Sequence, residues 1–384
     1  MVPLGTFFPH LIKDIYGREK ELREITNSIK KKEPLIIITG PTGVGKTTLL
    51  RSVLEKYSTH SIEIQLLQYS SNKNLRRSYV VEEIERSLQI LLKKSEISLK
   101  KYLSSLKGVM FDKDELVLDE QLNQLDLAEL FLTLDRWSKN EKTQLILAVD
   151  DAEILSRFQH LDFEKIFAFI YDNCKNITII LVGQEKQILR KTFKFDDIKA
   201  PLYGRAFHHI HLARLTKKES ERVFYRVLSQ HNKKFSDREL EVASKGIAML
   251  PGIISTIIIM ALELLEAKKI NNESLTKALE TTATVVGSQF ADFLLNRSAR
   301  KKYEQIMIAL ANKPLTWKKL KDSLDLKFGE KLYDKNFNDL IGSLEENDFI
   351  EKQNVFYNIS NPLLAYYYSG KYPESRLISG TTSN

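Results

Sequence analysis

The chain has 384 residues, enough for two or three domains of ordinary size, and its 43% hydrophobic and 28% charged residues describe a folded protein rather than a disordered one. A net charge of +8 is compatible with nucleic acid or an anionic membrane surface, but Lys30–Lys32, Arg76–Arg77 and Lys301–Lys302 lie far apart, so charge alone selects no partner. Cys174 is the single cysteine, which excludes an intrachain disulfide and a thiolate zinc cluster. The start, Met1 to Phe8, lacks the basic opening and long apolar stretch of a signal peptide. The most apolar run, Ile253–Leu262, is interrupted by Ser255 and Thr256 and is too short to span a bilayer, so a cytoplasmic protein is expected.

Up to about Leu212, short apolar runs alternate with helical patterns, as in a parallel sheet covered by helices. Strands are predicted at Leu35–Thr39, Ser61–Leu67, Leu145–Val149, Ile177–Val182 and His208–Leu212. These runs do not alternate, because a parallel strand covered on both sides is apolar on both faces. The first leads into Gly40-Pro41-Thr42-Gly43-Val44-Gly45-Lys46-Thr47-Thr48 and then into the helical Leu49 to Leu54. A strand, a G-x4-G-K-T loop and a helix in that order form a phosphate-binding P-loop. Its glycines let successive N–H groups curl around an anion, and the helix N-terminus adds a favourable dipole. Lys46 is expected to reach the β- and γ-phosphates of a nucleotide, and Thr47 to offer its hydroxyl to Mg²⁺.

Between the second and third strands, Tyr79 to Lys139 reads as mostly helical. Val80, Ile84, Leu88, Leu91 and Leu92 form one stripe, with Glu82, Glu85 and Arg86 on the other side, which predicts a packing helix without chemistry. The third strand delivers Asp150 and Asp151 at its C-terminal end, where ligands bind in parallel sheets. Asp150 is the expected Mg²⁺ residue, acting through water, and Asp151 the candidate for polarising the attacking water. An aspartate at this place reaches one methylene less far than a glutamate. Glu153 is near in sequence, but a position two residues along a turn does not by itself direct it to the same place.

From about Thr216 to Ala283 the pattern is helical, opened by the capping box Thr216-Lys217-Lys218-Glu219. Beyond Ser298, Tyr303–Ala311, the stretch through Trp317, Leu320 and Leu324, and the stripe Phe337, Leu340, Ile341 and Leu344 predict three helices. Two short strands follow, Phe349–Glu351 and Val355–Ile359, in the order of a winged helix. Its third helix carries Lys335, Asn336 and Asn338, with Lys331 before it and Lys352, Gln353 and Asn354 in the wing. Lys331, Lys335 and Lys352 are the candidate contacts to duplex DNA, while Asp334, Asp339, Glu345 and Glu346 oppose them. Protein contact through the same domain is the alternative.

The opening Ile15-Tyr16-Gly17-Arg18-Glu19-Lys20-Glu21-Leu22 resembles the segment that precedes the P-loop in AAA+ and STAND ATPases. Together with the two nucleotide motifs, Leu202-Tyr203-Gly204-Arg205 and the winged helix, the chain is similar to the archaeal STAND-type ATPases over most of its length. The resemblance implies an α/β P-loop NTPase core over residues 1–214, a helical lid over 215–296, a winged helix over 297–372 and a polar tail over 373–384. It implies ATP or ADP with Mg²⁺ at the junction of core and lid, with Tyr16, Gly17 and Arg18 near the adenine. Gln184 falls where a polar sensor of the γ-phosphate sits, and Arg205 where an arginine contacts phosphate in its own subunit or in a neighbour within a nucleotide-dependent oligomer. Pro251, in Gly246 to Gly252, is the nearest counterpart of a lid segment that touches the base. The function implied is a slow ATP-driven switch. A DNA-binding initiator similar to archaeal origin-recognition proteins, or a nucleotide-binding module without catalysis, stays open beside it.

Overall fold

A computed structural model describes residues 17–41, 43–56, 60–69, 75–112, 115–118, 126–158, 161–184, 192–216, 218–220, 222, 272–295 and 297–370. Contacts divide the chain into two compact units, one of Arg18–Gly40 with Gly45–Ala213 and one chiefly of Arg214 onward. Among the described residues no helix is long and apolar enough to cross a membrane.

The first unit is built on a five-stranded parallel sheet. Its strands are β1 (Leu35–Thr39), β2 (His60–Gln65), β5 (Leu145–Asp150), β6 (Ile177–Gly183) and β7 (His208–His211), in the order β2-β5-β6-β1-β7. Every residue of β1, β5 and β6 is buried, whereas the edge strands β2 and β7 are buried only in part. The unbroken isoleucine, leucine and valine runs thus belong to the strands covered on both faces. The predicted strands are all present, within two residues at their ends.

Four helices cover the sheet: α1 (Glu19–Lys30), α2 (Lys46–Lys56), α3 (Arg77–Leu103) and α4 (Leu127–Asn140), with α5 (Phe163–Asn173) leading into β6. Acids in the first turn of α1 and Lys30 in its last complement the helix dipole. Asp126 caps α4, accepting from the N–H of Ala128 at 2.8 Å. On α3, Val80, Ile84, Leu88 and Leu91 are buried as the periodicity requires. The opposite face departs from the expectation. A hairpin of β3 (Val109–Asp112) and β4 (Glu115–Leu118), inside the stretch read as mostly helical, lies along it. Its backbone donates from Leu116 to Gln89 Oε1 at 2.8 Å and from Leu118 to Glu85 Oε2 at 2.7 Å. A four-residue strand whose polar partners lie on a distant helix leaves little trace in local periodicity.

In the second unit the capping box forms: Glu219 Oε2 accepts from the Thr216 N–H at 2.7 Å, and Thr216 Oγ1 accepts from the Glu219 N–H at 3.3 Å. Further along come α6 (Asn272–Leu294), α7 (Arg300–Asn312), β8 (Leu315–Thr316), α8 (Trp317–Phe328), α9 (Asp334–Glu346), β9 (Ile350–Gln353), β10 (Phe356–Ile359) and α10 (Pro362–Ser369). The antiparallel sheet β8-β10-β9 with α7, α8 and α9 is a winged helix. Phe290 of α6 packs edge-on against Phe349 and Tyr368, and Trp317 against Phe337. Helix α10 was not expected. Its cap is Asn361, which accepts from the Leu363 N–H at 2.9 Å, with Pro362 in the first turn.

Candidate nucleotide site

The loop after β1 needs its glycines for backbone reasons. Gly43 and Gly45 have φ of +80° and +97°, and among the described residues a Cβ at either would meet nothing within 4 Å. Only glycine adopts these angles without strain, and the space beside them is open to an approaching anion. Helix α2 starts at Lys46, so its first-turn N–H groups sit at the mouth of this loop. Lys46 is 9% exposed, and its Nζ donates to the Gly40 carbonyl at 2.8 Å.

Asp150 ends β5 and is 7% exposed. Burial drives its acidity upward from the usual carboxylate range, opposed by a hydrogen bond with the Thr47 side chain, by Lys46, by the Asp151 N–H and by Arg51. The sequence-predicted Lys46, Thr47 and Asp150 are therefore brought together at one edge of the sheet, although β6 separates β5 from β1. A hydroxyl and a carboxylate are hard oxygen donors that fit Mg²⁺, which takes few protein ligands and keeps its waters.

Asp151 adopts the left-handed region, φ 53° and ψ 46°, and opens a 3₁₀ turn over Ala152–Arg157. A non-glycine residue there is uncommon and marks a constrained turn. Burial first, then the charges of Asp150 and Glu153, push its carboxyl up to about 8. That turn returns Glu153 to the site. Its Oε2 accepts from the Gln184 N–H at 3.4 Å, and burial pushes its carboxyl up to about 7 against the pull of Lys46. Gln184 is the first residue past β6, half-buried beside this acid.

One predicted residue, Arg205, lies apart from this cluster. Arg205 is three residues before β7, on the side where strands enter the sheet, whereas the loop follows the end of β1. Five strand residues at about 3.3 Å each separate the two ends. Its guanidinium grips Asp172 through Nε at 3.0 Å and Nη2 at 2.6 Å, donates to the Pro201 carbonyl and lies over the Tyr171 ring. The arrangement does not bring Arg205 to the P-loop of its own chain. Arg18 is 5% exposed and donates to Glu21 Oε1 at 3.2 Å and to the Ala213 carbonyl at 2.6 Å. Gly17 has φ +72°, and a Cβ there would lie 3.2 Å from Leu215 Cδ2. Tyr16, Thr42 and Pro251, with the rest of the Gly246–Gly252 segment, fall outside the described residues.

In the winged helix, Lys331, Lys335 and Lys352 are exposed. Asp334, which sequence sets against them, is paired with Lys321 at 3.0 Å, and Asn338 accepts from Trp317 Nε1 at 2.7 Å.

Two features at the sheet edge escape sequence reasoning. Glu83, 3% exposed among the apolar residues of α3, accepts from the Gln65 N–H at 3.3 Å and Gln68 Nε2 at 2.6 Å, and from Tyr69 and Arg86. Gln65 is the register partner of Asp150, so this network abuts the acid strand. A glutamate interrupting an apolar stripe was the available signal. Thr39, the last residue of β1, is held at 2.8 Å by His209 Nε2 and at 3.2 Å by His211 Nδ1.

Residues 29–192 match a family described as an AAA domain, and residues 297–360 match the MCM protein C-terminal winged helix-turn-helix domain. No curated protein matches the chain. Among solved structures, the Walker-type ATPase paby2304 of Pyrococcus abyssi is similar with a TM-score of 0.75 and 25% identity, over 95% of this chain and 99% of that one. The ORC2 protein of Aeropyrum pernix, solved as ADPNP–ADP complexes, shares the fold with a TM-score of 0.59 and 14% identity, over 95% and 93% of the two chains. The chain thus joins a P-loop domain with a parallel five-stranded sheet, similar to the AAA-domain family over residues 29–192, to a winged helix similar to the MCM C-terminal domain over residues 297–360.

Proposed function

We propose that the protein is a slow ATPase of the AAA+/STAND type, a molecular switch in which nucleotide acts on a lid and the winged helix engages DNA or a protein partner. The observation that carries this reading is the convergence of Lys46, Thr47 and Asp150 where the P-loop opens. Gly40, Pro41, Thr42, Gly43, Val44 and Gly45 cradle the phosphates with Thr48, and Lys46 neutralises their charge. Thr47 and Asp150 hold Mg²⁺, which when bound supplies positive charge to the phosphates. An acid beyond Asp150 takes the proton of the attacking water, with Asp151 the one that sequence nominates, and Gln184 senses the terminal phosphate. Tyr16, Gly17, Arg18 and Pro251 serve the base, with the division into core, lid and winged helix falling at residues 214 and 296. Arg205 acts in trans, on the nucleotide of a neighbouring copy, a role supported by its distance from its own loop. A cytoplasmic setting suits the single buried Cys174.

A second reading, a DNA-binding initiator in which ATP licenses assembly on DNA, is favoured by the exposed Lys331, Lys335 and Lys352. ATP turnover by the full chain, with and without duplex DNA and with Lys46→Ala as the blank, separates the two. Stimulation by DNA that is lost in the Lys331→Glu/Lys335→Glu/Lys352→Glu variant supports the second. Slow turnover indifferent to DNA supports a switch driven by another partner. Absence of both turnover and nucleotide binding would overturn the proposal.

A further inference from the structure

We propose that Glu153, rather than Asp151, holds the attacking water and takes its proton, from a station over the end of β6 between the strands that carry Asp150 and Gly40. The inference rests on the ATPase reading and assigns one role within it.

The strand order makes the placement specific. Asp150 ends β5, Gly40 follows β1, and β6 lies between them. Gln184 is the first residue past β6, and its N–H donates to Glu153 Oε2 at 3.4 Å. The carboxylate therefore lies over the middle strand, between the strand that ends in Asp150 and the strand that leads to Gly40. Lys46, Thr47 and Asp150, the residues that would hold the phosphates and their metal, are the neighbours of this position.

A residue three places beyond the strand arrives there because the chain reverses. Asp151 in the left-handed region starts the reversal, and the Ile154 N–H donates to the Asp151 carbonyl at 3.0 Å. Ala152, Ile154 and Leu155 are buried and anchor the turn from beneath. Thr192 Oγ1 donates to the Glu153 carbonyl at 3.4 Å, fixing the backbone from a second segment. The carboxylate is thus held by a rigid turn, which suits a group that must orient one water. Among the described residues, Lys46, Asp150 and Asp151 are charged groups whose fields reach it, and burial brings its acidity to about 7, close to the value at which a general base works best at neutral pH.

In the proposed step, the water oxygen forms a bond to the γ-phosphorus as the bond from that phosphorus to the β–γ bridging oxygen breaks. The bond's electron pair leaves with ADP. One water proton passes to a Glu153 carboxylate oxygen and is then returned to the released phosphate or to solvent, so the residue is regenerated.

Glutamine at position 153 keeps an oxygen that can accept from the Gln184 N–H but cannot take a proton, so Glu153→Gln separates chemistry from support. The experiment measures kcat and KM for Mg–ATP, and Kd for a fluorescent ADP analogue, on the full chain and on Glu153→Gln, Glu153→Asp and Asp151→Asn. The expected result is a kcat lower by about 10²- to 10⁴-fold in Glu153→Gln, with Kd within about threefold of wild type. Glu153→Asp, retracted by one methylene, is expected between that variant and wild type, and Asp151→Asn is expected to lose at least about tenfold less in kcat than Glu153→Gln. Glu153→Gln retaining kcat within threefold, with Asp151→Asn losing a hundredfold, would give the role to Asp151 and leave the ATPase reading standing. A loss of nucleotide affinity of tenfold or more in Glu153→Gln would make the residue structural. Wild-type protein that binds nucleotide without turning it over would overturn the hydrolase reading, and this assignment with it.

Discussion

Replacing Lys46 with alanine tests the phosphate site most directly. The side chain is already 9% exposed and held against Gly40 at 2.8 Å, so binding a phosphate exchanges one acceptor for a charged one without first ordering the chain. A hydrogen bond to a charged partner is worth about 1.5–3 kcal/mol, and each 1.4 kcal/mol is a factor of ten, so nucleotide affinity should fall about 10- to 150-fold. A second effect acts in the same direction. Lys46 opposes the upward push of burial on Asp150, and without it that carboxyl is more readily protonated and a poorer partner for Mg²⁺. The lost bond to Gly40 costs the nucleotide-free protein only about 1 kcal/mol, a few degrees in Tm. Titration of a fluorescent ADP analogue with Mg²⁺ gives the affinity, and melting without nucleotide checks the fold. Affinity within threefold of wild type, in a variant whose melting shows it folded, would refute the placement of the phosphates.

Three further outcomes are expected. In metal-free buffer without nucleotide, stability should decline as pH rises. Glu153 and Asp151 have folded-state acidities near 7 and 8, above the ordinary carboxyl value near 4, so the folded protein holds more protons through that interval. The associated stability is fully present below about pH 4 and is lost as pH climbs through 7 and 8, with a slope of up to about 1.4 kcal/mol per pH unit for each site. Melts between pH 5 and 9 measure it, and Glu153→Gln should flatten the profile; a rise in Tm toward pH 8 would contradict the burial of these acids. Arg205→Ala should leave nucleotide affinity in dilute protein unchanged and lower turnover only at concentrations where copies associate, and a tenfold loss of affinity in dilution would show that the guanidinium serves its own loop. At Gly287, inside α6, an added Cβ would lie 2.6–2.7 Å from three ring atoms of Tyr367. The gain of about 1 kcal/mol in helix propensity is then outweighed by about 1–3 kcal/mol of overpacking, and Tyr367→Ala should relieve the loss; Gly287→Ala melting above wild type would contradict this contact.

What sequence could show depended on how local the cause was. Strands β1, β5 and β6 were legible because burial on both faces leaves an unbroken apolar run, and the P-loop because its chemistry needs glycine and lysine at fixed spacing. The winged helix followed from three apolar stripes and a polar wing. Strand order was not legible, since nothing inside Ile177–Gly183 states that it lies between β5 and β1. The role of Glu153 was hidden for a similar reason: its direction depends on a left-handed Asp151 and on the N–H of Gln184 thirty-one residues away. Glu85, assigned by periodicity to an outer face, turned out to hold the backbone of β4 because a hairpin lies over that face. Helix α10 was missed even though Asn361-Pro362 is a local start signal.

The sheet order also has a consequence for synthesis. The two neighbours of β1 are Ile177–Gly183 and His208–His211, so a nascent chain carries the bare Leu-Ile-Ile-Ile-Thr run for some 140 residues before either partner exists. At about 5–20 residues per second that interval is on the order of ten seconds on the ribosome. During it the strand is uncharged, rich in β-branched residues and unpaired on both edges, the composition that invites pairing between chains. The phosphate loop that depends on β1 cannot be assembled any sooner. Truncations that stop before residue 177 should therefore aggregate rather than yield a small nucleotide-binding fragment, and recovery of soluble protein will depend on how well that one strand is shielded until its partners arrive.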